Sequence, residues 1–272
     1  MLKSKAAAFP YLLWTAIFII VPLGLVVYFG VTTRQGEFTL DNLARVGEYV
    51  PVIMSSIWLA IIATIICLVI AYPLAFFISR TGANSQRTFL MLVMLPMWMN
   101  FLLRTYAWMT LLERNGLINQ FFGLFGLGPF NMINTPGAVV LGMVYNYVPF
   151  MILPLYSTMV KIENPVIEAA QDLGANTWKT LSHVVFPLSL PGVTTGITMV
   201  FVPCISTFAI SRMLGGGSTL LIGDLIELQF LGNTYNPNLG AAISLVLMVI
   251  ILICMAMMNM FDDSEDKEAM LL

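Results

Sequence analysis

The residues able to do chemistry in this sequence are few and dispersed. His183 is the only histidine, and no Gly-x-Ser-x-Gly elbow accompanies it, so a hydrolytic triad has no second member and His183 reads as a surface or packing residue. Gly215-Gly216-Gly217 is not followed by the Lys-Ser/Thr of a phosphate loop. Cys67, Cys204 and Cys254 lie far apart inside apolar runs, which fits neither a metal site nor a disulfide framework; they read as buried hydrophobes. What remains suits binding better than bond-making. Tyr106 with Trp108, and Tyr145 with Asn146, put aromatic faces and polar groups within apolar stretches, where they can attract a cation or hold a polar solute, though rings near helix ends also serve as interface anchors. Asp224 and Glu227, three apart, would share a helical face that either attracts a cation or faces solvent. Arg104 is the one charge clearly inside an apolar run; it either snorkels and pairs with a backbone carbonyl or Glu113, or lines a transport path.

The elements that position these groups follow from composition. Of 272 residues, 59% are hydrophobic and 10% charged, and the mean hydropathy is +0.89. Soluble domains carry about 25% charged residues, so a water-soluble enzyme is excluded. With 12 basic and 14 acidic residues and a net charge of -2, no basic stripe exists to neutralise phosphates, which argues against nucleic acid as a partner. The expected fold class is an all-α membrane protein of six transmembrane helices, because apolar runs approaching or exceeding the roughly 20 residues needed to cross a bilayer fall near 9–33, 52–78, 89–112, 138–157, 192–212 and 239–261. The first run is longer than a signal-peptide core and lacks an Ala-x-Ala site after it, so it is expected to be retained. The chain reads as a single transmembrane domain over 1–272, without internal repeat or appended soluble domain.

Orientation follows from the short loops. With the N-terminus inside, Lys3, Lys5, Arg80, Arg87, Lys161, Lys179 and Lys267 face the cytoplasm and Arg34, Arg45, Arg114 and Arg212 face out, which favours both termini inside. The acidic run Asp262-Asp263-Ser264-Glu265-Asp266 reads as a solvated end. Outside, Thr39 is a plausible N-cap for a short surface helix with Leu40, Leu43 and Val46 on one face, and Gly123 to Pro136 is punctuated as a turn-rich or re-entrant loop. Pro73, Pro96, Pro149, Pro154 and Pro203 lie in or near spans, where each removes a helical hydrogen bond. Gly192 and Gly196 offer a small-xxx-small face for close helix packing.

The connection between the fourth and fifth spans, 158–191, is long for a compact domain and therefore suggests a task. Asn164 before Pro165 reads as an N-cap, Gly174 as a C-terminal glycine, and a second helix is expected from Asn176 or Thr177 to Pro187. Ala169 and Ala170 leave a low surface beside Glu168 on which another protein can dock. Glu168-Ala169-Ala170, three residues, Gly174, nine residues, then Val184-x-Phe186-Pro187 resembles the EAA loop of ABC importer permeases, with Val and Phe where the pattern has Ile and Leu. The segments Phe101–Trp108, Asn115–Asn119, Val144–Tyr145, Pro149–Tyr156, Leu214–Gly216 and Leu220–Leu231 resemble the spermidine/putrescine permease family over nearly the whole chain.

The resemblance implies a type I importer (MetI-like) permease fold in a cell membrane. It further implies a second homologous permease, two ATP-binding subunits and an external polyamine-binding protein as partners. No cofactor is expected on this chain; ATP and Mg belong to the partner ATPase. Glu168, Ala169, Ala170 and Gly174 are then the coupling residues, and Arg104, Tyr106, Trp108, Tyr145, Asn146, Asp224 and Glu227 the pathway candidates. An ABC permease for another solute, such as thiamine or ferric iron, shares the loop. A stand-alone channel or secondary transporter would be expected to carry more ionisable groups within its spans than Arg104 alone.

Overall fold

The structure, a computed structural model, describes residues 2–232 and 235–269, with side chains described over 9–232 and 235–258. Lys3, Lys5, Lys267 and the acidic run 262–266 lie outside the described side chains. Among the described residues regular structure is helical, apart from one isolated bridge between Thr32 and Phe38.

The first span, α1 (Phe9–Gly30), is followed by the short surface helix α2 (Asp41–Val46), which runs through a tight turn into α3 (Val50–Ser79). The N-cap of α2 is Leu40 and not Thr39, whose hydroxyl instead accepts from the Asp41 N–H at 3.1 Å in the turn before it. The third apolar run is not one straight span. It forms α4 (Ala83–Met94), a tight turn to Trp98, then α5 (Phe101–Leu112) and α6 (Leu117–Gly123), with an 87° bend between the two halves. Pro96 lies in that turn without an N–H to continue the ladder, and the Asn100 side chain restarts the helix by accepting from the N–H groups of Leu102 and Leu103.

Helix α7 (Pro136–Met159) leads to the short helix α8 (Asn164–Asp172). The next helix, α9 (Thr177–Ser206), does not stop at Pro187 as the proline suggested; it continues as the fifth span and ends at Ser206, short of Arg212. A π-helical turn over Leu181–Val185 ends two residues before Pro187, and its wider coil accommodates the ring and the missing donor. After the break at Thr207 and Phe208 come α10 (Ala209–Gly215), α11 (Ile222–Leu231) and α12 (Pro237–Ala269). Among the described residues five helices are long and apolar enough to cross a membrane, or six with the bent pair counted as one span.

The core is α3, α7 and α9. On α3, Ala60, Ala63, Cys67, Ala71 and Ala75 recur every three or four residues and are fully buried, so the backbone of α7 comes close along a seam of small side chains. On α9, Gly192 and Gly196 do the same towards α7: a Cβ at Gly192 would stand 2.9 Å from the Pro154 carbonyl oxygen and 2.6 Å from Thr158 Oγ1. Cys67 and Cys204 are buried free thiols and Cys254 a half-buried one. By contrast α1 packs chiefly on α12, where Gly30 lets it meet Ala242 and Leu245, and most of its other face is open.

Gly192→Val is expected to push α7 and α9 apart and destabilise the chain by about 1–3 kcal/mol, the usual cost of overpacking. Gly24→Val, at a glycine with open space around it, is the control and should leave the midpoint of thermal unfolding in detergent unchanged.

Candidate functional site: a groove and a docking helix

Between α3, α5 and α7 lies an open groove of about 1230 Å³. Pro51 to Ile70 of α3 form one wall and Pro136 to Val148 of α7 the other, with Ser218 to Leu220 at the end nearest Pro51 and Pro136. Its lining is apolar except for a few hydroxyls, and three aromatic rings face it: Trp58, Trp108 and Tyr145. The last two meet edge to face at 5.4 Å between centroids, so each fixes the other's rotamer. Among the described residues no Asp, Glu, Lys or Arg lines the groove. Beyond Ile70, Tyr72 bonds Ser189 at 3.1 Å and ties α3 to α9.

The remaining pathway candidates sit elsewhere. Tyr106 is exposed on α5, two residues from Trp108 and off the groove. Asn146 points into the core, 2% exposed; its amide donates to the Gly142 carbonyl at 2.9 Å and its own oxygen is buried without a partner among the described residues. Arg104 does not snorkel. It is 8% exposed, its Nε and Nη1 have no hydrogen-bond partner among the described residues, and Tyr147 lies within its electrostatic reach. Asp224 is no solvated carboxylate either, at 6% exposure. Its Oδ2 accepts the Leu221 N–H at 2.9 Å, closing the first turn of α11, while Ser56 takes the Ile222 N–H at 2.8 Å. Glu227 pairs with Arg212 at 2.6 Å. Both acids line a separate small recess near Ser211 and Gly217, not the groove. The glycine triplet is a chain reversal: Gly216 and Gly217 have positive φ, and Ser218 bonds the Asn134 carbonyl at 2.8 Å.

At the far end of α7 stands α8. It buries Ile167 and exposes Glu168, Ala169 and, at 89%, Leu173; Trp178 projects at the start of α9. Its C-terminus is closed by paired bonds, Gly174 N–H to Gln171 and Ala175 N–H to Ala170, with Gly174 at φ +85°. Asn164 does not cap the helix; Glu163 holds that position, and the Asn164 side chain accepts instead from Arg80. Asn176 does cap α9, accepting the Lys179 N–H at 2.9 Å. Sequence reasoning passed over Arg80 as a loop charge and over Asn119, whose side chain holds Glu113 and Phe130 together across the loop before α7.

Gly174→Ala places a Cβ in the left-handed region at roughly 1–2 kcal/mol. Amide exchange at Ala175 should then speed up about tenfold, whereas Gly174→Asn, which tolerates that conformation, should leave it near the original rate. Burial pushes the Asp224 carboxyl above its ordinary range, against Ser211 and the Leu221 N–H, which lower it. A carboxyl raised in the folded state favours folding as pH falls from that raised value towards the unfolded one, so native stability should decline as pH rises through this window. Asp224→Asn keeps an acceptor on the cap and should remove that part of the slope in thermal unfolding followed from pH 4 to 8.

Residues 7–266 match the family described as binding-protein-dependent transport system inner membrane component. The spermidine/putrescine transport system permease protein PotB of Escherichia coli (strain K12) is 36% identical over 247 residues, covering 87% of this chain and 90% of that protein. PotB of Haemophilus influenzae is 37% identical over 247 residues, covering 87% and 86%. Among solved structures, a bacterial ABC transporter involved in the import of the acidic polysaccharide alginate superposes with TM-score 0.81 at 16% identity, covering 96% of this chain and 95% of that one. The same fold recurs in an alginate transporter in complex with a pentasaccharide-bound periplasmic protein, at TM-score 0.80 and 15% identity over 94% and 92%. The helices, their order and these likenesses agree: the chain belongs to the binding-protein-dependent transport system inner membrane components, the permeases of ABC importers.

Proposed function

We propose that this chain is a permease subunit of an ATP-driven polyamine importer, with both termini cytoplasmic. The observation that carries the reading is the identity over 247 residues to permeases named for spermidine and putrescine. The groove supports it, because Trp58, Trp108 and Tyr145 offer faces to an ammonium group. Among the described residues the wall carries no carboxylate, so in this reading the anionic groups that balance a polycation come from the facing permease, which completes the pathway. The face of α8 that exposes Glu168 and Ala169 beside the half-buried Ala170, with the closure at Gly174, is the surface that docks on the ATP-binding subunit.

In this mechanism a loaded polyamine-binding protein docks on the outer loops, and ATP-driven closure of two ATP-binding subunits draws the docking helices together. The spans open outward, the solute enters between the two permeases, and hydrolysis restores the inward-facing state. This chain supplies no nucleotide site, since no Gly-x4-Gly-Lys-Ser/Thr occurs in it.

The test is uptake of radiolabelled spermidine and putrescine into proteoliposomes holding the assembled complex, with ATP inside and the binding protein outside. Uptake that needs both supports the reading; an active ATPase without polyamine uptake sends the search to other solutes. Trp108→Ala should lower uptake about two- to thirtyfold, the equivalent of about 0.5–2 kcal/mol of cation–π attraction, while Trp108→Phe keeps most of it. Unchanged uptake in Trp108→Ala would remove the ring from the pathway.

A further inference from the structure

Arg80, the first residue beyond α3, reaches across the end of α7. Its Nη1 donates to the Ile162 carbonyl at 2.9 Å and to Asn164 Oδ1 at 2.8 Å, and its Nη2 donates to the Met159 carbonyl. Its guanidinium lies 5.6 Å from the centroid of the Phe76 ring, one turn back on α3. One planar group thus holds the last residue of α7, the turn after it and the first residue of α8. The carbonyls it meets are at the negative end of the α7 dipole, and the rigid fork fixes their relative orientation in a way a single ammonium cannot.

A staple that merely held α3 against α7 would be redundant here. Those helices already pack along the Ala60–Ala75 seam, and Gln86 spans them again, accepting from Tyr156 at 2.9 Å and donating to the Ser79 and Thr81 carbonyls. Less support reaches α8, which buries only Ile167 and otherwise meets the first turns of α9. Arg80 and Asn164 form the direct polar link between that helix and α3.

We propose that Arg80 is the positioning residue that makes the docking helix α8 and the groove wall α3 move as one body, so that displacement of α8 reaches the groove. The proposal rests on the coupling role of α8 proposed above. It requires the distance between α8 and the end of α3 to stay fixed through the ATP cycle.

The test uses the assembled importer in proteoliposomes, with Cys67, Cys204 and Cys254 replaced by Ala and spin labels attached at Phe77→Cys and Gln171→Cys, both exposed positions. With Arg80 present the distance distribution should be narrow and the same with and without ATP. Arg80→Ala should broaden it and lower the ratio of uptake to ATP hydrolysis about tenfold, as expected for the loss of charge-assisted hydrogen bonds, with Arg80→Lys between the two. A distance that shifts with ATP when Arg80 is present, or a distribution and ratio untouched by Arg80→Ala, overturns the proposal. Should Arg80→Ala fail to assemble, Asn164→Ala, which deletes only the acceptor on α8, decides: broadening supports the joint and an unchanged distribution sinks it. If the parent complex takes up no polyamine, the substrate reading fails while the distance measurement still settles the role of Arg80.

Discussion

No water solvates a peptide group inside a bilayer, so every interrupted helix must find partners for its open ends within the protein. This chain interrupts its helices repeatedly and meets the demand with short polar side chains. At the end of α1, the Asn42 amide donates to the Thr32 carbonyl and the Asn238 amide to those of Thr32 and Phe29. Asn100 restarts the helix after the 87° bend, and Asp224 with Ser56 closes the start of α11. Each of these residues ties an irregular stretch to the bundle, and together they allow a helical protein to have corners.

The corners shape the groove. The bend at Met99 and Asn100 redirects α5 so that Trp108 meets Tyr145 from α7. The chain reversal at Gly216 and Gly217 returns the strand of backbone that brings Ser218 to Leu220 to the groove's end. Gly223 is needed for the same approach, since a Cβ there would stand 2.5 Å from the Thr207 carbonyl oxygen. Small side chains in α3 and α9 set the depth of the bundle, and bulky ones such as Trp58 and Ile66 stand on the groove side of α3.

Hydropathy made the apolar runs legible, because twenty consecutive apolar residues have few other uses. Spacing made α8 legible, since Gly174 and the alanines before it describe a helix end and a low surface. Polar residues within those runs were harder to place. A run of letters gives Asn146 and Tyr145 as neighbours, yet on a helix they face different ways, one into the core and one to the groove. Asp224 read as a free acid because its partner, a backbone N–H three residues back, has no signature among the letters. Pro187 read as a stop because a π-turn that makes room for it is equally silent.

The pairing of α1 with α12 has a consequence for how the protein is made. The span α1 packs chiefly on α12, whose first residue, Pro237, follows Gly30 by about 200 residues. At ~5–20 residues per second, α1 waits on the order of tens of seconds among lipid or insertion factors before its partner exists. Its exposed leucines, isoleucines and aromatics suit that wait, since they need nothing but hydrocarbon around them. Its main packing surface therefore forms only once α12 has been made.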